Sequence, residues 1–499
     1  MKFKHFPRLA PSTGRSTLPV LTIALIALAG SAAAGPPPSL TWNNTNGNWT
    51  TAGKWTGLTW SDGNVAIFNG ASAGTVTLTS SVSATGLDFI TSETISGTGG
   101  SLTLSANPVS VANGKIAIIN VPISGSAGLS LTGAGTLVLG ATNTYSNTTS
   151  IASGTTLQIG ASGATGTLGS GSVTDSGTLV FNRTDTYGGP VTNAISGNGA
   201  VTLSRGYLTL TGSNSYSGLT TISTGTLQIG DGHNTGTLGT GSVLNNAALV
   251  FNRTDNYGGN VGNAISGSGT VALINGNLTL TGTNLYTGGT TVVLNTSLLV
   301  NNTSGSGTGT GLVTVDNGAI LGGIGRIGGG VAMSGVLAPG ANNIGKLTVG
   351  GNFNFSDNST FAYEMNTSAH AGDLLVVEGP GGVSLGTNVE LTLSDLGSGW
   401  LDLGTTLSLI QYEGSWSSGL FTYASNPLNE GDEVSLNGKG WTIHYNDVAH
   451  GDFVTGFTDP HFITLSLTAV PEAGGLLALG CLVGSGAFFR SRRRGTSVL

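Results

Sequence analysis

The chain repeats itself at one fixed interval. LQIG begins at Leu157 and again at Leu227, FNRTD at Phe181 and Phe251, and ISG at Ile195 and Ile265; between 181–200 and 251–270, fifteen of twenty positions are identical. Such agreement marks internal duplication, and a duplicated unit of this length buries its apolar face against its neighbours rather than alone. Within each copy, short Leu/Val/Ile/Thr runs such as TLQIG, ALVFN and LTLTG are separated by Gly, Asn and Ser, with no helical periodicity between them. Divided in three, the interval gives about 23 residues per coil. The pattern predicts an all-β chain wound as a right-handed parallel β-helix, each turn laying its strand on the strand below.

Composition agrees with that winding and closes other routes. Of 499 residues, 85 are glycine, and only 8% are charged, where about 25% is usual for a soluble domain. Coiled coils and charge-surfaced helical enzymes are thereby excluded. A net charge of −7 argues against nucleic-acid binding. Mean hydropathy of +0.20 does not suit disorder. Tight corners call for glycine and asparagine, and charges stacked at the ~4.8 Å strand spacing would repel, so 35–300 holds five Lys/Arg and seven Asp/Glu. About eleven coils between 100 and 350 would make a spacer near 50 Å long.

Both ends read as targeting segments. Lys2, Lys4, Arg8 and Arg15 precede an apolar run, Leu18 to Ala29, and Ala32 and Ala34 supply the small residues a signal peptidase needs. At the other end, Val470, Pro471 and Glu472 lead into an apolar stretch, Gly474 to Phe489, followed by Arg490, Arg492, Arg493 and Arg494. As a helix that stretch spans about 24 Å, short of the ~30 Å hydrocarbon core. The arginines would hold the end on the cytoplasmic side. Residues 470–494 resemble the PEP-CTERM sorting signal of Gram-negative bacteria, with Ala473 where that family usually has a second proline. The resemblance implies processing by an exosortase-like enzyme, transient or permanent membrane anchoring, and delivery to the cell surface, outer membrane or extracellular matrix. Cys481, the only cysteine, lies in the tail, so the exported body holds no disulfide.

The units LVLGATNTYSNTTSIASGTTLQIG at Leu137, LTLTGSNSYSGLTTISTGTLQIG at Leu208 and LTLTGTNLYTGGTTVVLNTSLLV at Leu278 resemble autotransporter-associated β-strand repeats. Asn143, Asn214 and Asn284, with Tyr145, Tyr216 and Tyr286, hold equivalent places. These are expected to stack as asparagine ladders, the tyrosines capping the strand edge, with a sugar-binding tyrosine row as the alternative. The expected organisation is a signal peptide at 1–34, a Trp-rich β cap at 35–100, the β-helix at 101–350, an acidic β-rich region with a sandwich-like end at 351–469, and the sorting segment at 470–494.

Candidate chemistry is sparse. Trp42, Trp49, Trp55 and Trp60 fall within nineteen residues and read as a plug for the open end of the winding, with carbohydrate contact as the rival. Asn429 to Glu433 could offer oxygens to calcium but reads as a solvated turn. His444, Asp447, His450, Asp452, Asp459 and His461 lack ligand spacing for a metal. The duplicated Arg183/Asp185 and Arg253/Asp255 read as corner pairs rather than catalytic groups. The expectation is a non-catalytic exported rod with no cofactor and no metal, involved in adhesion or association with extracellular polysaccharide; a β-helix lyase or hydrolase and a carbohydrate-binding protein are the alternatives. Changing Arg492, Arg493 and Arg494 to serine is expected to misroute the protein, which fractionation of the cell surface measures; unaltered surface delivery would contradict the sorting assignment.

Overall fold

The computed structural model describes residues 37–470 apart from 43–45, 57, 106–107, 258, 342, 417 and 449–460. The signal-peptide positions Ala32 and Ala34, and Pro471 through Arg494 of the sorting segment, lie outside the described residues. Contacts divide the chain into Met1–Pro37 and Pro38–Leu499, and the second unit carries the fold.

It is a right-handed parallel β-solenoid of about 14 turns, all strand and corner, with no helix among the described residues. Short strands line three faces, two or three of them in each turn. On the first lie Thr149–Ile151, Val173–Asp175 and Ile195–Gly197; on the second, Thr156–Ile159, Thr178–Asn182 and Ala200–Arg205; on the third, Tyr207–Leu210, Thr226–His233 and Ala248–Arg253. Every pairing along these columns is parallel. Strands alternate buried and partly exposed residues, as in Thr178–Asn182, because successive side chains point to opposite sides of the pleat. Leu157, Leu179 and Val201 therefore stack inside, one per turn.

The sequence period and the structural period differ. Three turns carry Leu157 through Leu179 and Val201 to Thr220, and Leu227 lies further along, past the next corner. One copy of the repeat thus spans three turns and one face. Accordingly Thr156–Ile159 belongs to the second face, whereas its copy Thr226–His233 belongs to the third. The expected division into equal coils is corrected by this offset. Successive partners on the second face, Thr178↔Ala200, Val201↔Thr220 and Thr220↔Val243, are separated by unequal lengths of chain, the middle turn being the shortest. Corners differ in length while strands keep register.

Winding extends beyond 101–350 on both sides. Parallel pairing begins with Ser39–Trp42 on Asn64–Phe68 and continues to Val389–Asp395 on Phe421–Tyr423. The C-terminal end is not a separate sandwich. Thr406–Tyr412 pairs antiparallel with His461–Ala469, which pairs with Lys439–Asp447 and that with Glu433–Leu436, so one sheet of the solenoid runs on into a meander.

Glycine is indispensable where one turn's backbone crosses closely over another. Gly197 has φ +104°, and a Cβ there would lie 2.0 Å from the Asp175 carbonyl oxygen; Gly154, at φ +81°, faces open space. Gly154→Ala is expected to cost about 1–2 kcal/mol from the left-handed backbone alone. Gly197→Ala should cost about 1–3 kcal/mol more through the clash. Urea midpoints of the two variants measure the gap, and equal midpoints would contradict the turn-on-turn contact.

Candidate functional site

The repeat motifs position their polar groups between turns rather than toward solvent. Asn143 Oδ1 accepts from Ile123 N at 2.8 Å in the turn below, while its Nδ2 donates to Thr167 O at 2.6 Å in the turn above. Asn214 does the same with Ile195 N and Thr237 O at 3.0 and 2.7 Å, and Asn284 with Ile265 N and Gly307 O at 2.8 and 2.6 Å. Each asparagine staples three turns. The ladder expectation is corrected: the three motifs precede strands on three different faces, Thr149–Ile151, Thr220–Ile222 and Thr290–Val292, because the copy length is not a whole number of turns. Nor do the tyrosines cap an edge or form an exposed row. Tyr145, Tyr216 and Tyr286 are fully buried, each with its hydroxyl 2.6–2.9 Å from the Thr Oγ1 four residues on.

The FNRTD loops are corner clamps. Arg183 is buried and holds Asp185 in a two-pronged contact, Nε to Oδ1 at 2.8 Å and Nη2 to Oδ2 at 2.6 Å. Its remaining donors reach Gly166 O and Ala164 O of the preceding turn at 2.6 and 2.7 Å, and its guanidinium lies 5.2 Å from the Tyr187 ring centroid. Arg253, Asp255 and Tyr257 repeat the arrangement one face further round. The hydrogen-bonded arginine holds each aspartate below its ordinary carboxyl range. These groups are committed to one another, an arrangement suited to fixing a corner and unsuited to proton transfer.

Beside each clamp lies a crevice. Asn143, Thr167, Leu168, Tyr187 and Asn193 line one of about 440 Å³; Asn214, Thr237, Leu238, Tyr257 and Asn263 line its copy, about 470 Å³. Duplication thus presents one surface feature twice, on successive faces.

The N-terminal tryptophans form a plug. Trp42, Trp49, Trp55 and Trp60 are 0–8% exposed, packed against one another at centroid distances of 4.8–5.1 Å, mostly edge to face. Trp49 and Trp55 rest on Phe68, which stacks on Phe89 of the next turn at 4.6 Å. Trp55 Nε1 donates to Trp49 O at 2.6 Å. Stacking on a sugar needs an open ring face, and this cluster turns its faces inward.

Glu430, Asp432 and Asp447 of the acidic C-terminal region are likewise committed. Asp432 Oδ2 accepts from Asn429 N and Nδ2 at 2.7 and 2.9 Å, and Glu430 takes His444 Nδ1 at 2.8 Å and Tyr445 N at 2.7 Å. Asp447 accepts from Thr464 Oγ1, and His461 stacks on Tyr412. His450, Asp452 and Asp459 lie outside the described residues. Among the described residues no group of three His, Cys, Asp or Glu is placed to hold a metal, and no helix is long and apolar enough to cross a membrane. Sequence reasoning passed over Trp400, 77% exposed in a loop beside a cavity of about 550 Å³. A lone tryptophan among glycines and serines carries no spacing signal.

Residues 129–159, 205–229 and 275–293 match the family described as passenger-associated-transport-repeat. Over 245 residues, 42% of the chain, the sequence is 34% identical to the adhesin BmaC autotransporter of Brucella suis biovar 1 (strain 1330); that stretch is 7% of the adhesin's length. The crystal structure of the Haemophilus influenzae Hap adhesin aligns over 81% of this chain and 64% of its own, at 12% identity and a TM-score of 0.28.

Buried carboxyls give the column a pH dependence. Glu93, 2% exposed, sits in register between Gly74 and Ala117, and burial pushes it up to about 7. Burial raises Asp373 to about 7 and Asp175 to about 6. Folded pKa values above the unfolded ones mean the native state binds more protons between the ordinary carboxyl range and about pH 7, so stability falls as pH rises through that window. Thermal unfolding at pH 5 should therefore occur at a higher temperature than at pH 8. Glu93→Gln should narrow the difference, and a melting temperature that rises toward pH 8 would contradict the assignment.

Proposed function

We propose that the protein is a non-catalytic, exported surface protein of a Gram-negative bacterium, a solenoid spacer that mediates adhesion and associates with extracellular polysaccharide. The observation that carries this reading is the use to which the fold puts its reactive side chains. Arginine–aspartate pairs, asparagines and tyrosines of the repeat are consumed in bonds within and between turns, which commits them to holding the column together. Its repeats match those of transported passengers, and the relative that shares 34% identity is named an adhesin. Catalysis by an Asp185/Asp255 pair is disfavoured because each carboxylate is held by its own arginine, on its own face.

Both ends of the chain enter the same reading. The N-terminal segment ending at Ala34 directs export through signal peptidase, and the Val470–Arg494 segment acts as a sorting signal read by an exosortase-like enzyme, anchoring the protein transiently or permanently. Displayed on a non-adherent Gram-negative strain, the full chain is expected to increase adherence to other cells or to matrix-coated surfaces without shortening any polysaccharide in the medium. Unchanged adherence would overturn the adhesin reading; depolymerisation would favour an enzyme.

A further inference from the structure

Trp400 is the most exposed aromatic side chain among the described residues, and its loop is held in place. Trp400 follows Gly399, whose N donates to Thr367 Oγ1 at 3.0 Å and whose carbonyl accepts from Lys439 Nζ at 3.2 Å. Ahead of it, Gly397 N and Ser398 N donate to Asp395 Oδ1 and Ser368 Oγ at 2.9 and 3.0 Å. Behind it, Leu401 is buried and Gly404 N donates to Leu467 O at 2.8 Å. The loop is pinned on both sides of an indole that nevertheless stands in water, at the cost of leaving a large apolar surface wet.

The indole edges the cavity of about 550 Å³ whose wall also carries His370, Asp402, Gly404 and Thr405. His370 adopts φ +51°, a left-handed backbone in which histidine is enriched, and this turn brings it to the cavity wall. Asp402 is exposed and lends its carbonyl to Thr405 N and Oγ1 at 3.0 and 2.7 Å, which fixes the turn. Leu401 and the exposed Leu403 also reach the cavity, but its lining is mainly polar, and one flat ring beside such a wall is poor complementarity for an apolar peptide or for lipid, each of which needs continuous apolar lining. It suits a pyranose, which offers one C–H face to stack and a rim of hydroxyls to donate and accept. Asp402 in the wall, within a region of fifteen acids and three bases over 301–469, disfavours an anionic sugar.

We infer that Trp400, with Asp402 and His370 around the adjoining cavity, forms a binding site for a neutral hexose polymer. This site rests on the surface-protein reading and locates polysaccharide contact at the C-terminal end of the winding, away from the buried tryptophans of the N-terminal plug.

Binding of dextran, mannan, laminarin and, as the anionic comparison, alginate to the full-length chain in mild detergent tests it, read by affinity electrophoresis and by iodide quenching of tryptophan fluorescence. At least one neutral polymer should bind and protect an iodide-accessible tryptophan that is missing from Trp400→Ala. Trp400→Ala should bind about tenfold more weakly and Trp400→Phe within about threefold of the parent, with unchanged melting temperatures in both. Equal binding by Trp400→Ala, absence of protection by every neutral polymer, or preference for alginate would overturn the site. If Trp400→Ala cells adhere as the parent does while no polymer protects the ring, the site fails and the adhesin reading stands; loss of adherence by the parent chain itself is the separate failure of that reading.

Discussion

The parallel hydrogen-bond ladder between turns is the constraint from which the rest follows. Each turn can satisfy its strand N–H and C=O groups only by lying in register on its neighbours, so strand positions are fixed while corners absorb every difference in length. The unequal chain lengths separating Thr178 from Ala200 and Val201 from Thr220, all on one face, show this directly. Side-chain staples such as Asn143 extend the ladder through corners where backbone pairing lapses. The open ends need cover because their strands would otherwise offer unpaired edges and an apolar shaft. Tryptophans fill one end and an antiparallel meander continues the other.

Parallel winding also explains how duplicated sequence avoids duplicated stacking. With a copy spanning three turns and one face, like strands never lie directly above one another: Leu157 rests beneath Leu179, not beneath another LQIG. A slip of one turn would therefore match unlike neighbours, and that mismatch itself protects register. Asp175, in register between Ile151 and Gly197, shows what an acid inside such a stack must accept, an environment that favours its protonated form.

Fold class was legible because its signals are local. Strand runs, Gly-rich corners and scarce charge each follow from one turn's requirements, and the Trp-rich opening and the Arg183/Asp185 pair could be read as plug and corner from their setting. The phase of the repeat was not legible. Corner length is set by three-dimensional closure, so the interval from Leu157 to Leu227 divides as easily into three equal coils as into three turns plus one face, and the misplaced Asn143, Asn214 and Asn284 ladder followed from that choice. The boundary at 350 was obscured for a related reason: beyond it, corners lengthen, as between Thr360 and Glu390, and the period fades while pairing persists. Trp400 is invisible to pattern reading altogether, since its exposure is created by the pinning of Gly399 and Leu401.

Register between turns decides whether this winding is right, and paired cysteines report register most directly. In a chain with Cys481 replaced by alanine, cysteines at 202 and 221 occupy partner positions on adjacent turns and should join in a disulfide under mild oxidation, since parallel neighbours ~4.8 Å apart meet the geometric requirement. Cysteines at 198 and 221, the pair that equal coils of about 23 residues would bring together, should stay reduced. Joining of 198 to 221 with 202 and 221 left free would show that each copy sits above its predecessor, and the winding described here would be wrong.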